Sequence, residues 1–300
     1  MVAINLGGRG KFGLPPGLSR LGKAGVGRVP PTALVLAGIV SLQIGAALAK
    51  RLFAVTGPVG AVSVRLGFAG IVLLVFWRSA LRIERRALPV VLAYGAVLAL
   101  MNVSFYEALD RIPLGMAVTI EFLGPLAVAL VGSRRWIDPV WAVLAGGGVL
   151  LLTQADGPVA WTGVALAILA GVFWAGYILL SAKLGESTSG GGGLALALAF
   201  GGLLIAPIGI AEAGTALLQP AILAAGLGVA LLSSVLPYSL ELEALRRISP
   251  RVFGVLMSLE PGAAALAGVV LLSQPMNISQ WAGIACVVAA SIGATRMATP

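Results

Sequence analysis

The chain has 300 residues, of which 59% are hydrophobic and 10% are charged, and its mean hydropathy is +1.03. A soluble globular domain carries about 25% charged residues, so this composition excludes one and indicates a membrane protein. The formal net charge is +9. In a membrane protein such an excess belongs in cytoplasmic loops, so a lipid bilayer and not nucleic acid is the expected partner.

The residue types that are missing narrow the chemistry further. The chain has no histidine, which excludes histidine metal sites and histidine proton relays and leaves proton chemistry to carboxylates. Its single cysteine, Cys286, excludes an intramolecular disulfide. We therefore expect neither a metal ion nor another cofactor.

The N-terminal residues 1–31 are rich in Gly, Arg and Pro and predict a disordered basic tail. A cleaved signal peptide is the alternative for the apolar run that follows, because Ala47-Leu48-Ala49 resembles a cleavage site. However, the run from Ala33 to Ala49 is longer than the core of a signal peptide, and its pattern returns at Leu166 to Lys183. The sequence favours an uncleaved first helix.

Ten apolar runs have lengths near the ~20 residues that a helix needs to span a bilayer. They cover residues 33–52, 58–77, 88–109, 113–132, 137–153, 161–182, 193–211, 220–243, 251–272 and 279–296. Short segments such as Thr56-Gly57-Pro58 and Gln274-Pro275 separate them. The sequence predicts an all-α membrane protein with ten transmembrane helices.

An internal repeat relates the two halves of the chain. Residues 107–130 return as residues 243–266, a shift of 136, with ten of the 24 positions identical. Because each half then has five helices, an odd number, the second half is inverted relative to the first. We predict two inverted five-helix repeats, residues 32–156 and 157–300, an arrangement typical of alternating-access transporters.

The distribution of basic residues orients the predicted helices. With the N-terminus inside, cytoplasmic segments hold 16 of the 20 basic residues: Arg9, Lys11, Arg20, Lys23, Arg28, Arg78, Arg82, Arg85, Arg86, Arg134, Arg135, Lys183, Arg246, Arg247, Arg251 and Arg296. This bias predicts that both termini are cytoplasmic. Lys50 and Arg111, on the outer side, match Lys183 and Arg247 in the repeat and are expected to cap helix ends or to contact the cavity.

Two carboxylates lie in the middle of predicted helices four and nine. Glu121 and Glu260 each interrupt an apolar run, where a carboxylate costs roughly 2.5 to 3.5 kcal/mol on insertion scales. Burial disfavours the charged form of such a group and a nearby cation favours it. We expect one glutamate to carry a coupling proton and the other to bind a substrate ammonium group. The alternative is that both have only a structural role in helix packing.

The same runs contain one basic residue and several polar or aromatic ones. Arg65 is expected either to meet a substrate carboxylate or to form a locked ion pair. Pro125 and Pro261 each free a backbone carbonyl that could face a cavity. The remaining candidates for the cavity, each of which could instead be a packing or interfacial residue, are Gln43, Asn102, Tyr106, Trp174, Tyr177, Ser234 and Tyr238.

Small residues also favour close packing of predicted helices five and ten. Gly146 to Gly148 and Gly283 would let the two helices approach, either within one chain or between the protomers of a homodimer. Tyr106 and Tyr238 are predicted near opposite membrane faces, where aromatic belts form.

Four segments carry a resemblance to a known family: residues 41–50, SLQIGAALAK; residues 112–130, IPLGMAVTIEFLGPLAVAL; residues 236–247, LPYSLELEALRR; and residues 253–261, FGVLMSLEP. Together with the paired repeats they resemble the EamA-type members of the drug/metabolite transporter superfamily, and among these the bacterial threonine/homoserine exporters. The resemblance implies a ten-helix exporter of the bacterial inner membrane that moves small amino acids by proton antiport. An exporter of another small metabolite or drug in the same superfamily is the alternative.

Other function classes are disfavoured by the residues available. An intramembrane aspartyl protease needs two membrane-embedded aspartates, whereas Asp110, Asp138 and Asp156 all lie at predicted helix ends. Histidine-dependent enzymes are excluded by the lack of histidine. A channel would be expected to carry rings of like charge. The sequence predicts a transporter and not an enzyme.

Overall fold

The computed structural model describes residues 29–76, 83–131, 135–154, 160–188 and 192–297. Every regular element in these ranges is helical, and no strand occurs within them. Eight helical segments of the described chain are long and apolar enough to cross a membrane. These findings confirm the prediction of an all-α membrane protein. Most of the predicted basic tail, residues 1–28, and the predicted boundary between the repeats, residues 156–157, lie outside the described residues.

The helices follow most of the predicted apolar runs to within a few residues. In chain order they are α1 (Pro31–Phe76), α2 (Leu88–Arg111), α3 (Leu114–Glu121), α4 (Leu123–Val131), α5 (Asp138–Leu152), α6 (Trp161–Ser187), α7 (Gly192–Ala213), α8 (Pro220–Ala230), α9 (Leu236–Leu245), α10 (Pro250–Met257), α11 (Glu260–Leu272) and α12 (Ile278–Met297). A 3-10 turn (Gly214–Leu218) follows α7, and a π-helical turn (Leu231–Val235) joins α8 to α9.

Helix α1 is too long for a single crossing and folds back at Gly57. This residue has φ 65° and ψ 169°, a conformation that essentially only glycine adopts, and Pro58 follows it. Ser233 contacts both sides of the break, because it packs against Gly45 and its carbonyl accepts a hydrogen bond from Arg65. In a straight helix Gly45 and Arg65 would be about 30 Å apart. The two arms of α1, residues 31–56 and 58–76, therefore lie side by side.

The number of spans differs from the ten predicted for two structural reasons. Helix α1 counts as one continuous span of 45 residues, although its two arms fold back on each other. Helix α5 has 15 residues and is shorter than the eight segments that satisfy the length of a crossing.

Two spans are interrupted at repeat-equivalent positions. Helix α3 ends at Glu121 and α4 begins at Leu123, while α10 ends at Met257 and α11 begins at Glu260. Each break lies just before a proline, Pro125 or Pro261 in the sequence, whose ring clashes with the carbonyl four residues earlier and whose nitrogen cannot donate. The prolines therefore place each break beside a buried glutamate.

Hydrogen bonds between connecting segments mark the two ends of the helix bundle. At one end the Leu114 N–H donates to the Gln274 side-chain oxygen at 2.9 Å. At the other end Arg247 donates to the Val29 carbonyl at 3.3 Å. The span Arg251–Leu272 runs between them. We call these the Gln274 end and the Arg247 end.

The predicted glycine contact between helices five and ten occurs within one chain. A Cβ atom added to Gly148 would lie 2.7 Å from the Gly283 carbonyl oxygen, so only glycine permits this approach of α5 to α12. Gly146 and Gly147 have no such neighbour within 4 Å among the described residues. Pairing of two protomers through these helices stays a prediction.

The α1 hairpin can be tested with two glycines that share a positive φ. A Cβ on Gly57 would collide with the Glu212 side chain, whereas Gly214, with φ 55°, has open space within 4 Å in the described structure. We expect Gly57→Ala to lower the free energy of unfolding by about 1–3 kcal/mol, the cost of backbone strain, plus the steric cost of the clash.

Thermal unfolding in detergent, followed by circular dichroism, measures this loss. Gly214→Ala is the matched control and should lower the melting temperature by less than Gly57→Ala. Equal melting temperatures for the two variants would contradict the role of Gly57 in folding α1 back.

Candidate functional site

A cavity of about 100 Å³ lies inside the helix bundle and brings together most of the residues predicted from sequence. Eight of the ten predicted site residues line it: Gln43, Arg65, Asn102, Glu121, Trp174, Tyr177, Tyr238 and Glu260. They come from both arms of α1 and from α2, α3, α6, α9 and α11. Helices from both halves of the chain therefore form one cavity.

The two predicted carboxylates both reach this cavity. Glu121 ends α3 and Glu260 begins α11, and their fractional exposures are 8% and 4%. The Gln43 side-chain amide donates to Glu260 Oε1 at 3.4 Å. Glu260 Oε2 and Gln43 Oε1 are buried and have no hydrogen-bond partner among the described residues. Unpartnered buried oxygens are costly, so the cavity offers acceptors that a polar ligand can satisfy.

Arg65 lies on the second arm of α1 and is held by neutral oxygens. Its Nη1 donates to the Tyr106 hydroxyl at 3.1 Å and its Nη2 to the Ser233 carbonyl at 3.2 Å. Its Nε has no hydrogen-bond partner in the described structure. No carboxylate of the described residues forms an ion pair with it, so the alternative of a locked ion pair is wrong for this part of the chain.

Tyr106 and Ser234 do not line the cavity, although both are buried. Tyr106 has 0% exposure and accepts a hydrogen bond from Arg65, so its predicted place in an aromatic belt is wrong. Ser233 lines the cavity where Ser234 was predicted. The π-helical turn Leu231–Val235 explains the difference, because its wider turn changes which side chains face inward. Tyr238 faces the cavity and is likewise not a belt residue.

Aromatic rings form much of the remaining wall. The Trp174 ring packs edge-on against Phe122, with ring centroids 5.6 Å apart. Tyr177 packs against Tyr94 at 4.9 Å. Such contacts fix the ring positions and cover the α3–α4 break with a rigid apolar surface.

The carbonyl freed by Pro125 does not face the cavity. A Cβ atom added to Gly171 would lie 2.8 Å from the Glu121 carbonyl oxygen, so this oxygen packs against α6. Gly124 packs against Gly171 at the same crossing. The expectation that this carbonyl serves the cavity as an acceptor is therefore wrong, and the break acts by directing the Glu121 side chain inward.

Sequence reasoning missed a third cavity carboxylate, Glu241. It lies on α9 and lines the cavity with 3% exposure. The predicted eighth helix ended at residue 243, which made Glu241 look like a residue of a helix end. Helical spacing could have identified Glu241 as a cavity residue. It follows Tyr238 by three residues and Pro237 by four, so all three lie on one face of the helix.

The charged residues shared by the two repeats lie outside the cavity. Lys50 donates to the carbonyls of Leu109 and, at 3.3 Å, Ile112, which caps the C-terminus of α2 as predicted. Arg111 pairs with Glu107 at 2.5 Å, and Arg247 pairs with Glu243 four residues before it. These contacts stabilise helix ends.

Comparisons with known proteins agree with this architecture. The sequence pattern of the EamA-like transporter family matches residues 161–296. The threonine/homoserine exporter RhtA of Escherichia coli (strain K12) is 42% identical over 271 residues, covering 88% of this chain and 91% of that protein. The chain belongs to the EamA-like transporter family.

Further relatives of this EamA-like transporter extend the comparison. RhtA of Salmonella typhimurium (strain LT2) has the same identity, 42%, over 271 residues. The uncharacterized transporter YwfM of Bacillus subtilis is 25% identical over 236 residues, covering 75% of this chain and 79% of that protein. A crystal structure shares the fold with a TM-score of 0.63 at 17% identity, covering 87% of this chain and 94% of the other. A transporter family agrees with the prediction that the protein is not an enzyme.

The Arg65–Tyr106 bond of this transporter can be measured with a double-mutant cycle. A hydrogen bond to a charged group contributes about 1.5–3 kcal/mol, so Arg65→Gln and Tyr106→Phe should be non-additive by an amount of that order. Tyr94→Phe is the matched control, because it is the same change on the same helix about 18 Å away.

Denaturant unfolding in detergent micelles gives the four free energies of each cycle. Arg65→Gln combined with Tyr94→Phe should be additive within about 0.5 kcal/mol. Additivity in the Tyr106 cycle as well would contradict the assigned bond.

Proposed function

We propose that this EamA-like transporter exports small zwitterionic amino acids of the threonine and homoserine type. The observation that carries the proposal is a cavity with buried carboxylates and a buried guanidinium that are not ion-paired with each other in the described structure. A zwitterion brings one charge of each sign and complements both. Identity of 42% to proteins named threonine/homoserine exporter, across most of the chain, supports the same substrate class.

Each substrate group has a candidate partner in the cavity. Arg65 uses two of its nitrogens for neutral oxygens and can turn its remaining N–H groups to a substrate carboxylate. Glu121 and Glu260 can accept hydrogen bonds from the substrate's ammonium group. The unpartnered Gln43 Oε1 can accept from a substrate hydroxyl group. Asn102 already donates to the Leu98 carbonyl at 2.8 Å and contributes its oxygen.

Export of another small metabolite or drug is the second candidate function. The aromatic wall of Trp174 and Tyr177 suits a larger apolar substrate as well as an amino-acid side chain. Competition of threonine transport by such compounds separates the two, because a drug exporter would be inhibited by aromatic cations and not by homoserine.

The topology we propose is ten crossings in two inverted five-helix repeats, residues 32–156 and 157–300. The eight spans become ten when the two arms of α1 are counted separately and α5 is included. Four pairs of cavity residues are related by the repeat shift of 136, which supports a shared twofold axis: Met101 and Pro237, Asn102 and Tyr238, Phe105 and Glu241, Glu121 and Met257. The bias of basic residues supports cytoplasmic termini in a bacterial inner membrane.

Alternating access is supported by a difference between repeat-equivalent lysines. Lys50 ties the first arm of α1 to the end of α2 through the Leu109 and Ile112 carbonyls. Its equivalent, Lys183 on α6, is exposed and makes no such bond to Leu245 or Ile248 in the described structure. We propose that the Gln274 end is closed here by the Lys50 contact, and that the opposite state forms the Lys183 contact at the Arg247 end.

Proton antiport is the proposed energy source. An acid in the cavity that is neutral without substrate and ionised beside the substrate's ammonium group exchanges one proton for one substrate molecule. Glu121 and Glu260 are the carboxylates predicted either to carry the exchanged proton or to bind the substrate's ammonium group. Either role requires a carboxylate, so a glutamine cannot replace it.

Glu121→Gln and Glu260→Gln should each lower proton-driven threonine transport at least tenfold, because the amide removes the negative charge. The measurement is uptake of labelled threonine into inside-out vesicles, with and without a proton gradient. Glu107→Gln, a carboxylate outside the cavity, is the matched control and should transport like the unmodified chain.

Two results would contradict the proposed function. The first is unmodified protein in these vesicles that shows no threonine uptake above the background of empty vesicles. The second is gradient-driven uptake that both glutamine variants retain.

The lysine contacts predict opposite effects on the conformational equilibrium. Spin labels at Ser187→Cys and Ser249→Cys, in a Cys286→Ala background, report the opening at the Arg247 end. Removing the Lys50 contact by Lys50→Ala should enlarge the population with the shorter label distance, and Lys183→Ala should reduce it. Pulsed electron paramagnetic resonance spectroscopy of the protein in lipid measures both populations. A change of the same sign in both variants would refute alternating access through these contacts.

A further inference from the structure

Among the described residues, Glu260 accepts a hydrogen bond from Gln43 and Glu121 interacts electrostatically with Arg65, whereas the third cavity carboxylate, Glu241, has neither form of support for a negative charge. No described residue donates a hydrogen bond to it, and its Oε2 is buried without a partner. Its Oε1 lies on the side of Gly38, 3.7 Å from the point where a side chain on that glycine would begin. An ionised carboxylate buried without hydrogen bonds is strongly unfavourable, so the neutral carboxylic acid is the stable form in this conformation.

Glu241 is also the cavity carboxylate nearest to the Arg247 end. It lies four residues before the end of α9 at Leu245, about 6 Å along the helix. Glu260 lies ten residues after the start of α10 at Pro250, about 15 Å along that span. A proton that leaves Glu241 toward this end therefore has the shorter path.

The neighbours of Glu241 leave it without a fixed counter-ion. Just beyond the end of its helix, Arg246 and Arg247 both pair with Glu243. The charged or titratable groups that line the cavity together with Glu241 are Arg65 from α1, Glu121 from α3, Tyr177 from α6, Tyr238 from its own helix α9 and Glu260 from α11. None of these donates to its carboxyl group in the described structure.

We propose that Glu241 holds the proton that is exchanged for substrate, while Glu121 and Glu260 remain ligands of the ammonium group. The proposal rests on the proposed export of zwitterionic amino acids and assigns one of its steps. Glu241 is neutral while the cavity is empty and open at the Arg247 end. It becomes ionised when a substrate ammonium group supplies the positive charge that the protein does not.

The exchange balances in atoms, and because the zwitterion carries no net charge, each cycle moves one positive charge inward. As the ammonium group enters, the O–H bond of the Glu241 carboxyl breaks and its proton passes to water at the Arg247 end. The carboxylate left behind is compensated by the ammonium. After the bundle opens at the Gln274 end, a proton from that side re-forms the O–H bond as the amino acid leaves, so one proton moves inward for each substrate moved outward.

Two transport assays on reconstituted full-length protein separate this role from substrate binding. Proton-driven transport of labelled threonine requires the exchangeable proton, whereas threonine counterflow without a gradient requires only binding and conformational change. We expect Glu241→Gln to lower proton-driven transport at least tenfold, to keep counterflow within about threefold, and to remove the pH dependence of counterflow. Glu121→Gln and Glu260→Gln should lose both activities.

Two further variants control for folding and position. Glu241→Asp keeps a carboxyl group and should restore proton-driven transport in part, with a shifted pH profile. Glu243→Gln, two residues along the same helix and outside the cavity, should behave like the unmodified protein in both assays. Infrared difference spectra on threonine addition provide a second readout: loss of a protonated-carboxyl band is expected, and Glu241→Gln should abolish this signal.

The outcomes distinguish the two levels of the proposal. Unmodified protein without proton-driven threonine transport would overturn the proposed function and with it this assignment. If the unmodified protein is active, retention of proton-driven transport by Glu241→Gln would overturn the assignment alone. The assignment would also be overturned if Glu241→Gln lost counterflow but kept the infrared signal of the unmodified protein. Glu241 would then be a structural or substrate-binding residue.

Discussion

The structure depends on the cost of placing charge within the thickness of a lipid bilayer. Glu121, Glu241, Glu260 and Arg65 all lie within predominantly apolar spans, and the surrounding protein buries each of them. No direct ion pair among them satisfies these charges in the described structure. Water, a proton or a ligand in the cavity must do so instead.

The breaks give the cavity its form. The Gly57 turn brings Gln43 and Arg65, from the two arms of one helical segment, to the same space. The interruptions before Pro125 and Pro261 set Glu121 and Glu260 at helix termini, where the side chain can turn away from the regular helical direction. The Gly57 turn and the two prolines therefore determine where these charged groups lie.

The sequence predicted the features that depend on local pattern. Apolar runs marked the helices, and Glu121 and Glu260 stood out because a carboxylate in the centre of such a run is rare. Glu241 was missed because a carboxylate near a predicted helix end is common and carries little information. The neutral partners of Arg65 could not be read from the sequence, because the Ser233 contact requires α1 to fold back and the π-helical turn to expose Ser233 instead of Ser234.

The two halves share a backbone pattern but differ in the charged residues that line the cavity, and this limits how fully they can exchange conformations. Glu260 occupies the position that Gly124 holds in the first half, and Gly124 packs directly against Gly171. The repeat equivalent of Gly171 is Gly38, which here contacts Glu241. A side chain at position 260 prevents α11 from approaching Gly38 as closely as Gly124 approaches Gly171. If the halves exchange conformations as proposed, the second half cannot copy this contact, and the space that remains between α1 and α11 keeps the Glu260 carboxylate in the cavity in both states.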